Sequence, residues 1–358
     1  MEESFPVHTS NRISFRNEVG GFLSGRAAAL QLPLSGRPLL AIALCIGVAL
    51  TATTTAFAQP YPNKAIRIIA QFAPGSSADT TARLVAQKMT EDWGQQVIID
   101  NRPGAGGVVG TLVGMKAQPD GYTLTMAPVS AFGTAPHLYA TPPYDPMRDF
   151  EPISNLVATP QILVASQGAE FKSLQEWVGL ARAKPGHINF ASLGSGSFNH
   201  LAMEVFRSAA GIQMNHVPFK TSADMYIQLF GGQVAVMSDA LPAVLPHVKS
   251  GKLRGLALSA LKRSPHLPDL PTVAESGYAG FEAVGWVGIA APVKTPDAVL
   301  NALNAEMVKI MRQPDIRERF DTLAFTPIGN SRAEFAAYIK SEFAKWGKAV
   351  KESGARAD

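Results

Sequence analysis

Apolar positions along this chain follow two rhythms, and the rhythm changes at clusters of Gly, Pro and Ser. Runs rich in β-branched and apolar residues predict strands at Ile66–Phe72, Val97–Asn101, Tyr122–Ala127, Ile162–Ser166, Ile188–Ala191, Met214–Phe219, Val234–Asp239, Leu253–Ser259 and Val284–Ala290. Apolar residues three and four apart predict helices at Ala78–Trp93, Leu174–Ala183, Asn199–Ala210, Ala223–Phe230 and Ala243–Ser250. After Pro296 the pattern gives three more helices, two of them amphipathic around Leu300-Leu303-Met307-Ile310 and Phe335-Tyr338-Ile339-Phe343-Trp346. Strand and helix alternate almost throughout, which predicts an α/β protein with mainly parallel sheets.

The first 58 residues do not join this alternation. An uncharged apolar run, Leu39–Ala52, follows Arg26 and Arg37 and precedes Ala56-Phe57-Ala58. The run is shorter than the roughly 20 residues of a membrane span, and the small-residue A-x-A site is that of a secretory signal peptide cleaved after Ala58. A retained anchor is the alternative. Residues 1–58 are thus read as a leader and the mature chain as exported. Cys45 is the only cysteine and lies in the leader, so the mature chain would carry no disulfide, thiol nucleophile or cysteine metal ligand. A net charge of +4 with no long basic run gives no reason to expect a nucleic-acid partner. With 358 residues, 46% of them hydrophobic, the chain is long enough for two cores.

Candidate chemistry concentrates at turns that follow strands. Ala70-Gln71-Phe72-Ala73-Pro74-Gly75-Ser76-Ser77 leads from the first strand into a helix that opens with Ala78, Asp79, Thr80 and Thr81. The first N–H groups of a helix have no intrahelical partner and carry partial positive charge, and Gly75 lets backbone approach a ligand, so an anion such as a carboxylate fits there. The plainer reading is a βα connection whose Ser76 or Ser77 only caps the helix. A second turn of the same kind, Ser192-Leu193-Gly194-Ser195-Gly196-Ser197-Phe198-Asn199-His200, follows Ile188–Ala191 and also starts a helix. A third loop, Ala127-Pro128-Val129-Ser130, adds Ser130.

Proline-rich connections at 142–146 and 264–271 each lie beside a segment that would carry the chain between lobes, the crossings being expected near 150–161 and near 280–290. The expected division is 59–161 plus 282–358 for the first lobe and 162–281 for the second, joined by a two-segment hinge. One Gly/Ser turn per lobe would then face a common cleft and hold the two ends of a small acid, without an Arg clamp.

Rival chemistries fit less well. Gly104-Ala105-Gly106-Gly107-Val108-Val109-Gly110 looks like a dinucleotide fingerprint, but its third Gly is one place late and Pro103 precedes it. Ser195 or Ser197 with His200, His216 and Asp239 would supply a hydrolase triad, yet Gly-Ser-Gly-Ser-Phe lacks the G-x-S-x-G elbow. The histidines have no metal-ligand spacing, so neither metal nor cofactor is expected. Asp239 ends an apolar strand and either meets a ligand or caps the next helix.

Longer stretches resemble a known family. Tyr61–Arg67, Phe72–Gly75, Asp79, Asn101–Gly107, Pro119–Leu124, Pro143–Pro146, Asp149-Phe150, Ser192–His200, His216–Lys220, Leu267–Asp269, Pro271–Glu275 and Lys345-Trp346 are similar, in order and spacing, to the Bug receptors of tripartite tricarboxylate transporters. The likeness runs over essentially all of residues 60–354. It implies a two-lobed periplasmic-binding-protein (Venus-flytrap) fold, a small carboxylate or dicarboxylate as ligand, and integral membrane transporter subunits as partners. It also implies ligand contacts from these same turns, often through bridging water. Two departures fall near the expected pocket: Gly75-Ser76 where the family commonly has Gly-Gly, and Phe219-Lys220-Thr221 where it commonly has Tyr-Lys-Gly. Phe219 therefore joins the turn residues and Asp239 as a candidate ligand contact. The expectation is a monomeric receptor without catalytic activity, and a sensor feeding a histidine kinase is the alternative role.

Overall fold

Residues 61–357 are described by a computed structural model. The leader and the expected cleavage site after Ala58 lie outside the described residues. Strand β1 (Ile66–Ala70) is apolar at every position except Arg67, and the four apolar side chains are buried. It lies between β2 (Val97–Asn101) and β3 (Thr123–Pro128) and is parallel to both. Helix α1 (Ser77–Trp93) covers it, starting at an extended Ser76 cap and stopping where Gly94 turns left-handed at φ 64°. Helix α2 (Val108–Met115) packs beside these strands.

The sequence pattern gives no helix at 108–115, because Gly110 and Gly114 weaken it. The same glycines explain why it fits. A Cβ on Gly110 would stand 2.7 Å from the Arg102 carbonyl, and one on Gly114 would stand 1.9 Å from Thr125 Oγ1. Close approach to the sheet replaces propensity here.

Strand β4 (Phe150–Ser166) organises the rest. Its first part pairs antiparallel with β9 (Val284–Pro292) and with the short β10 (Thr326–Pro327). From Gln161 onward it pairs instead with β7 (Val236–Ala240) and β8 (Leu253–Leu258), again antiparallel. Strands β5 (Asn189–Ser192) and β6 (Asn215–Pro218) continue outward from β7 in parallel. The path is β2-β1-β3-β9-β4-β7-β5-β6. The pairing is therefore mixed rather than mainly parallel: helices link the parallel outer strands, while β4 and β9 run against their neighbours. Periodicity shows only Ile162–Ser166 of β4, since Pro152 and Pro160 interrupt the rest. The register shifts between Pro152 and Ser154, and the strand changes partners just after Pro160, so both prolines sit beside irregularities where a missing N–H is tolerated.

The two-lobed architecture follows from this shared strand. One core joins β1, β3 and β9 to α1 and to α7 (Asp297–Arg312) through Val85, Met89, Leu303, Met307 and Ile310. Another joins β7 and β8 to α5 (Ser222–Phe230) and α6 (Leu241–Lys249) through Met225, Leu229, Met237 and Val244. A third, rich in aromatic rings, includes α3 (Leu174–Ala183) and α4 (Phe198–Ala210), and runs from Trp177 and Phe206 to Trp286, Phe335 and Trp346. Helix α8 (Pro314–Thr322) follows α7, and α9 (Arg332–Ser353) closes the chain with a Ser331–Glu334 capping box. Helix α9 touches both sides: Phe335 meets Trp286 edge-on, and Trp346 meets Phe198, the first residue of α4.

Candidate functional site

A cleft of about 680 Å³ lies where the two Gly/Ser turns converge. Phe72, Ser76 and Ser77 line it from one side, and Ser195, Gly196 and Ser197 from the other. Ser130 reaches it from the π-helical turn Ser130–Thr134 after β3, and Asp239 from the end of β7.

The first turn is shaped by Asp79, which does not reach the cleft. Its carboxylate is 2% exposed and accepts from the Gly75 N–H at 2.9 Å, Arg83 Nε at 2.9 Å and Asn101 Nδ2 at 2.8 Å. Burial alone would raise the carboxyl, but the bonds from Arg83, Gly75 and Asn101 outweigh it and hold it below the ordinary aspartate value. Asn101 also donates to the Phe72 carbonyl at 3.0 Å. Asp79 thus ties the turn to α1 and β2. Gly75 has φ +85°, a conformation that suits glycine. Ala73, Pro74 and Gly75 form the outer rim and do not line the cleft.

The second turn is held from behind in a similar way. Ser197 caps α4, accepting from the His200 N–H at 3.3 Å and donating to the Gly194 carbonyl at 2.7 Å. His200 Nδ1 accepts the Gly196 N–H at 3.1 Å, and its ring stacks on His216 at 4.0 Å. Burial, with the positive charges that His216 and Arg207 would bring, pushes His200 down to about 3, so it is neutral and its Nδ1 stays an acceptor. Ser192 is fully buried, and its hydroxyl lies 2.6 Å from His216 Nε2 and 3.1 Å from the Gly194 carbonyl. Ser192, Gly194 and His200 therefore build the turn without lining the cleft. Phe219 also lies elsewhere: its side chain packs against the core of β7, β8 and α5, and its N–H bonds to the Ser192 carbonyl at 2.9 Å.

Other cleft residues escape the sequence pattern. Thr159 and Gln161 stand on β4 on either side of Pro160, and Thr159 Oγ1 and Gln161 Oε1 are buried without a protein partner. Asn199, in the first turn of α4, donates to Asp239 at 3.2 Å. Leu138 closes against Gly196, where a Cβ would come within 2.6 Å of Leu138 Cδ2. Trp286 borders the cleft yet is 1% exposed, so it serves as packing, as its place in the pattern suggests. The partner switch of β4 would have pointed to Thr159 and Gln161, but Pro160 hides that strand from periodicity.

A two-lobed α/β frame whose cleft lies between paired helix starts, with no Lys, Arg or His among the described residues that line it, defines a solute-binding receptor. The chain belongs to the tripartite tricarboxylate transporter receptor family, which it matches over residues 81–355. It is similar to the protein BugT of Bordetella pertussis, with 35% identity over 300 residues that cover 84% of this chain and 92% of that one. Among solved structures it resembles R. palustris Rpa4515 with adipate, at 30% identity and a TM-score of 0.74, covering 83% of this chain and 99% of the other. It also resembles MatC (Rpa3494) of Rhodopseudomonas palustris with bound malate, at 29% identity and a TM-score of 0.70, covering 81% and 100%. The family's members are receptors of the periplasm, not enzymes. No helix among the described residues is long and apolar enough to cross a membrane.

Proposed function

We propose that this chain captures a small organic carboxylate or dicarboxylate in the cleft and delivers it, as an exported monomer freed of its leader after Ala58, to the membrane subunits of a tripartite transporter. The observation that carries this reading is the convergence of the two turns: helix starts at Ser76 and Ser197 meet across one cleft, with hydroxyls from Ser77, Ser130 and Ser195 beside them. Main-chain N–H groups and hydroxyls can hold a carboxylate at each end without a cation. The relatives solved with adipate and malate support the ligand class.

The contacts are assigned to Phe72, Ser76, Ser77, Ser130, Ser195, Gly196, Ser197 and Asp239, with Asn199, Thr159 and Gln161 added. The rigid bodies are assigned to 59–161 with 282–358, and to 162–281. A thermal-shift panel of short carboxylic acids tests the reading. A ligand at a hundred times its dissociation constant stabilises the folded state by about 2.7 kcal/mol. If no acid raises the melting temperature, while amines or sugars do, the ligand class is wrong.

A further inference from the structure

Among the described residues that line the cleft, Asp239 is the single charged side chain, and no Lys, Arg or His joins it there. Every group that meets its carboxylate is neutral. Asn199 Nδ2 from α4, at 3.2 Å, and the Ala240 N–H, at 2.8 Å, reach Oδ1. The Tyr226 hydroxyl of α5 reaches Oδ2 at 3.0 Å. From β4, Ile162 lies opposite Asp239 in register, and Thr159 and Gln161 of the same strand line the cleft. The histidines nearby are turned elsewhere: His247 of α6 packs on the Tyr226 ring at 5.0 Å, and His200 of α4 faces the Gly196 N–H. A carboxylate offers about four acceptor positions, so these three bonds leave room for one more partner.

Asn199 belongs to the first turn of α4, and Ser197, Phe198 and Asn199 at that helix start all line the cleft. A ligand carboxylate seated there comes next to a second anion, with no cation to separate them. Two carboxyl groups so placed disfavour the doubly ionised form and share a proton. Burial already raises the Asp239 carboxyl, against the opposing bonds from Ala240, Tyr226 and Asn199.

We infer that the cleft takes up its carboxylate ligand together with one proton from solvent, held between Asp239 and the ligand, so that Asp239 supplies the hydrogen-bond donor that a cation would supply elsewhere. This rests on the carboxylate reading above. Binding then strengthens as pH falls toward the ligand's own titration range, by up to about tenfold per pH unit where the linkage is complete. It weakens only when the ligand itself protonates.

The test is calorimetric titration of the protein with short mono- and dicarboxylates, adipate and malate included, in buffers of different ionisation enthalpy from about pH 5.5 to about 9. The expected result is proton uptake that rises past half a proton per ligand within that range. Asp239→Asn, which mimics the protonated acid, should abolish the uptake and flatten the pH dependence of affinity. Binding without uptake at any pH in the wild-type protein overturns this inference and leaves the carboxylate reading standing. Uptake that persists in Asp239→Asn also overturns it, since another group then takes the proton. If none of the acids binds, the carboxylate reading itself falls and takes this inference with it.

Discussion

The indole N–H of Trp286, at the floor of the cleft, ends on the carboxylate of Glu342 at 3.0 Å, and Trp346 donates to the same oxygen at 2.8 Å. Glu342 is 4% exposed and also pairs with Lys345. One buried carboxylate thereby couples β9 to α9. Glu342→Ala leaves two buried indole donors and one ammonium without their partner, and should destabilise the fold by about 2–4 kcal/mol in urea unfolding. Trp346→Phe removes only one donor and should cost less. An equal or smaller loss for Glu342→Ala would show that the carboxylate is not the joint.

Asp79 sets the shape of the first turn and ties the stability of the fold to pH. Its carboxyl is lowered in the folded chain, so it stabilises the protein above the ordinary aspartate value and loses that contribution as pH falls through the folded value. Asp79→Ala should flatten this acid limb of the stability curve and weaken ligand binding, because the Gly75 N–H loses its anchor. Arg83→Ala removes one of the three donors and should produce a smaller effect of the same sign. Arg83 does not line the cleft, so a complete loss of binding in Arg83→Ala, with the fold intact, would point to a direct ion pair instead.

His200 acts in the same direction as Asp79 but over a higher pH window. It is lowered to about 3 in the folded state from an ordinary 6.5, so the unfolded chain binds its proton first as pH falls. The protein should lose stability progressively between about pH 6.5 and about 3, and His200→Asn should reduce that slope. Thermal melts across this range provide the check. An unchanged slope in the variant would mean that His216 or His137, also lowered by burial, carries the effect.

These residues show how much of the site was legible beforehand. Ser76, Ser77, Ser195, Gly196 and Ser197 stand out because two Gly/Ser turns of the same kind follow strands and open helices, and all five line the cleft. Asp79, Ser192 and His200 belong to the same turns, but they face inward and build the turn. Proximity in sequence to a site cannot separate a group that meets the ligand from one that supports the loop. Phe219 stands at a departure from the family pattern, yet it is half-buried, packs against the core and does not line the cleft. Thr159 and Gln161 escape the sequence pattern because Pro160 breaks the alternation that would reveal β4, while Leu138 reaches Gly196 only through tertiary packing.

Gly196 tests whether the two sides of the cleft must meet. Its φ of +77° disfavours any side chain, and a Cβ would press on Leu138. Gly196→Val should abolish ligand binding without unfolding the chain. Gly75→Val has open space around its Cβ and suffers only from its φ of +85°, so it should weaken binding less. Calorimetry on both variants, with circular dichroism to confirm folding, decides the matter. Unchanged affinity in both would remove the turns from the site.

The hydroxyl of Ser259 lies 2.9 Å from the Gln161 carbonyl and 2.7 Å from the Ala283 carbonyl, while the Ala283 N–H bonds to the Ser259 carbonyl at 2.8 Å. Gln161 is where β4 changes partners, and Ala283 immediately precedes β9. One buried side chain thus touches both segments proposed as the hinge. A hydroxyl has one proton for two carbonyls, so it can shift from one to the other as the backbone angles change. Removing it should loosen both crossings together. Small-angle scattering of the wild-type protein should show a smaller radius of gyration with saturating ligand, because near-rigid lobes close about these segments. Ser259→Ala should enlarge the difference between the free and bound radii while weakening affinity, as the free protein opens further and closure costs more. Identical free and bound profiles in the wild-type protein, with binding proven by calorimetry, would mean either a cleft that is already closed or a ligand site outside the cleft.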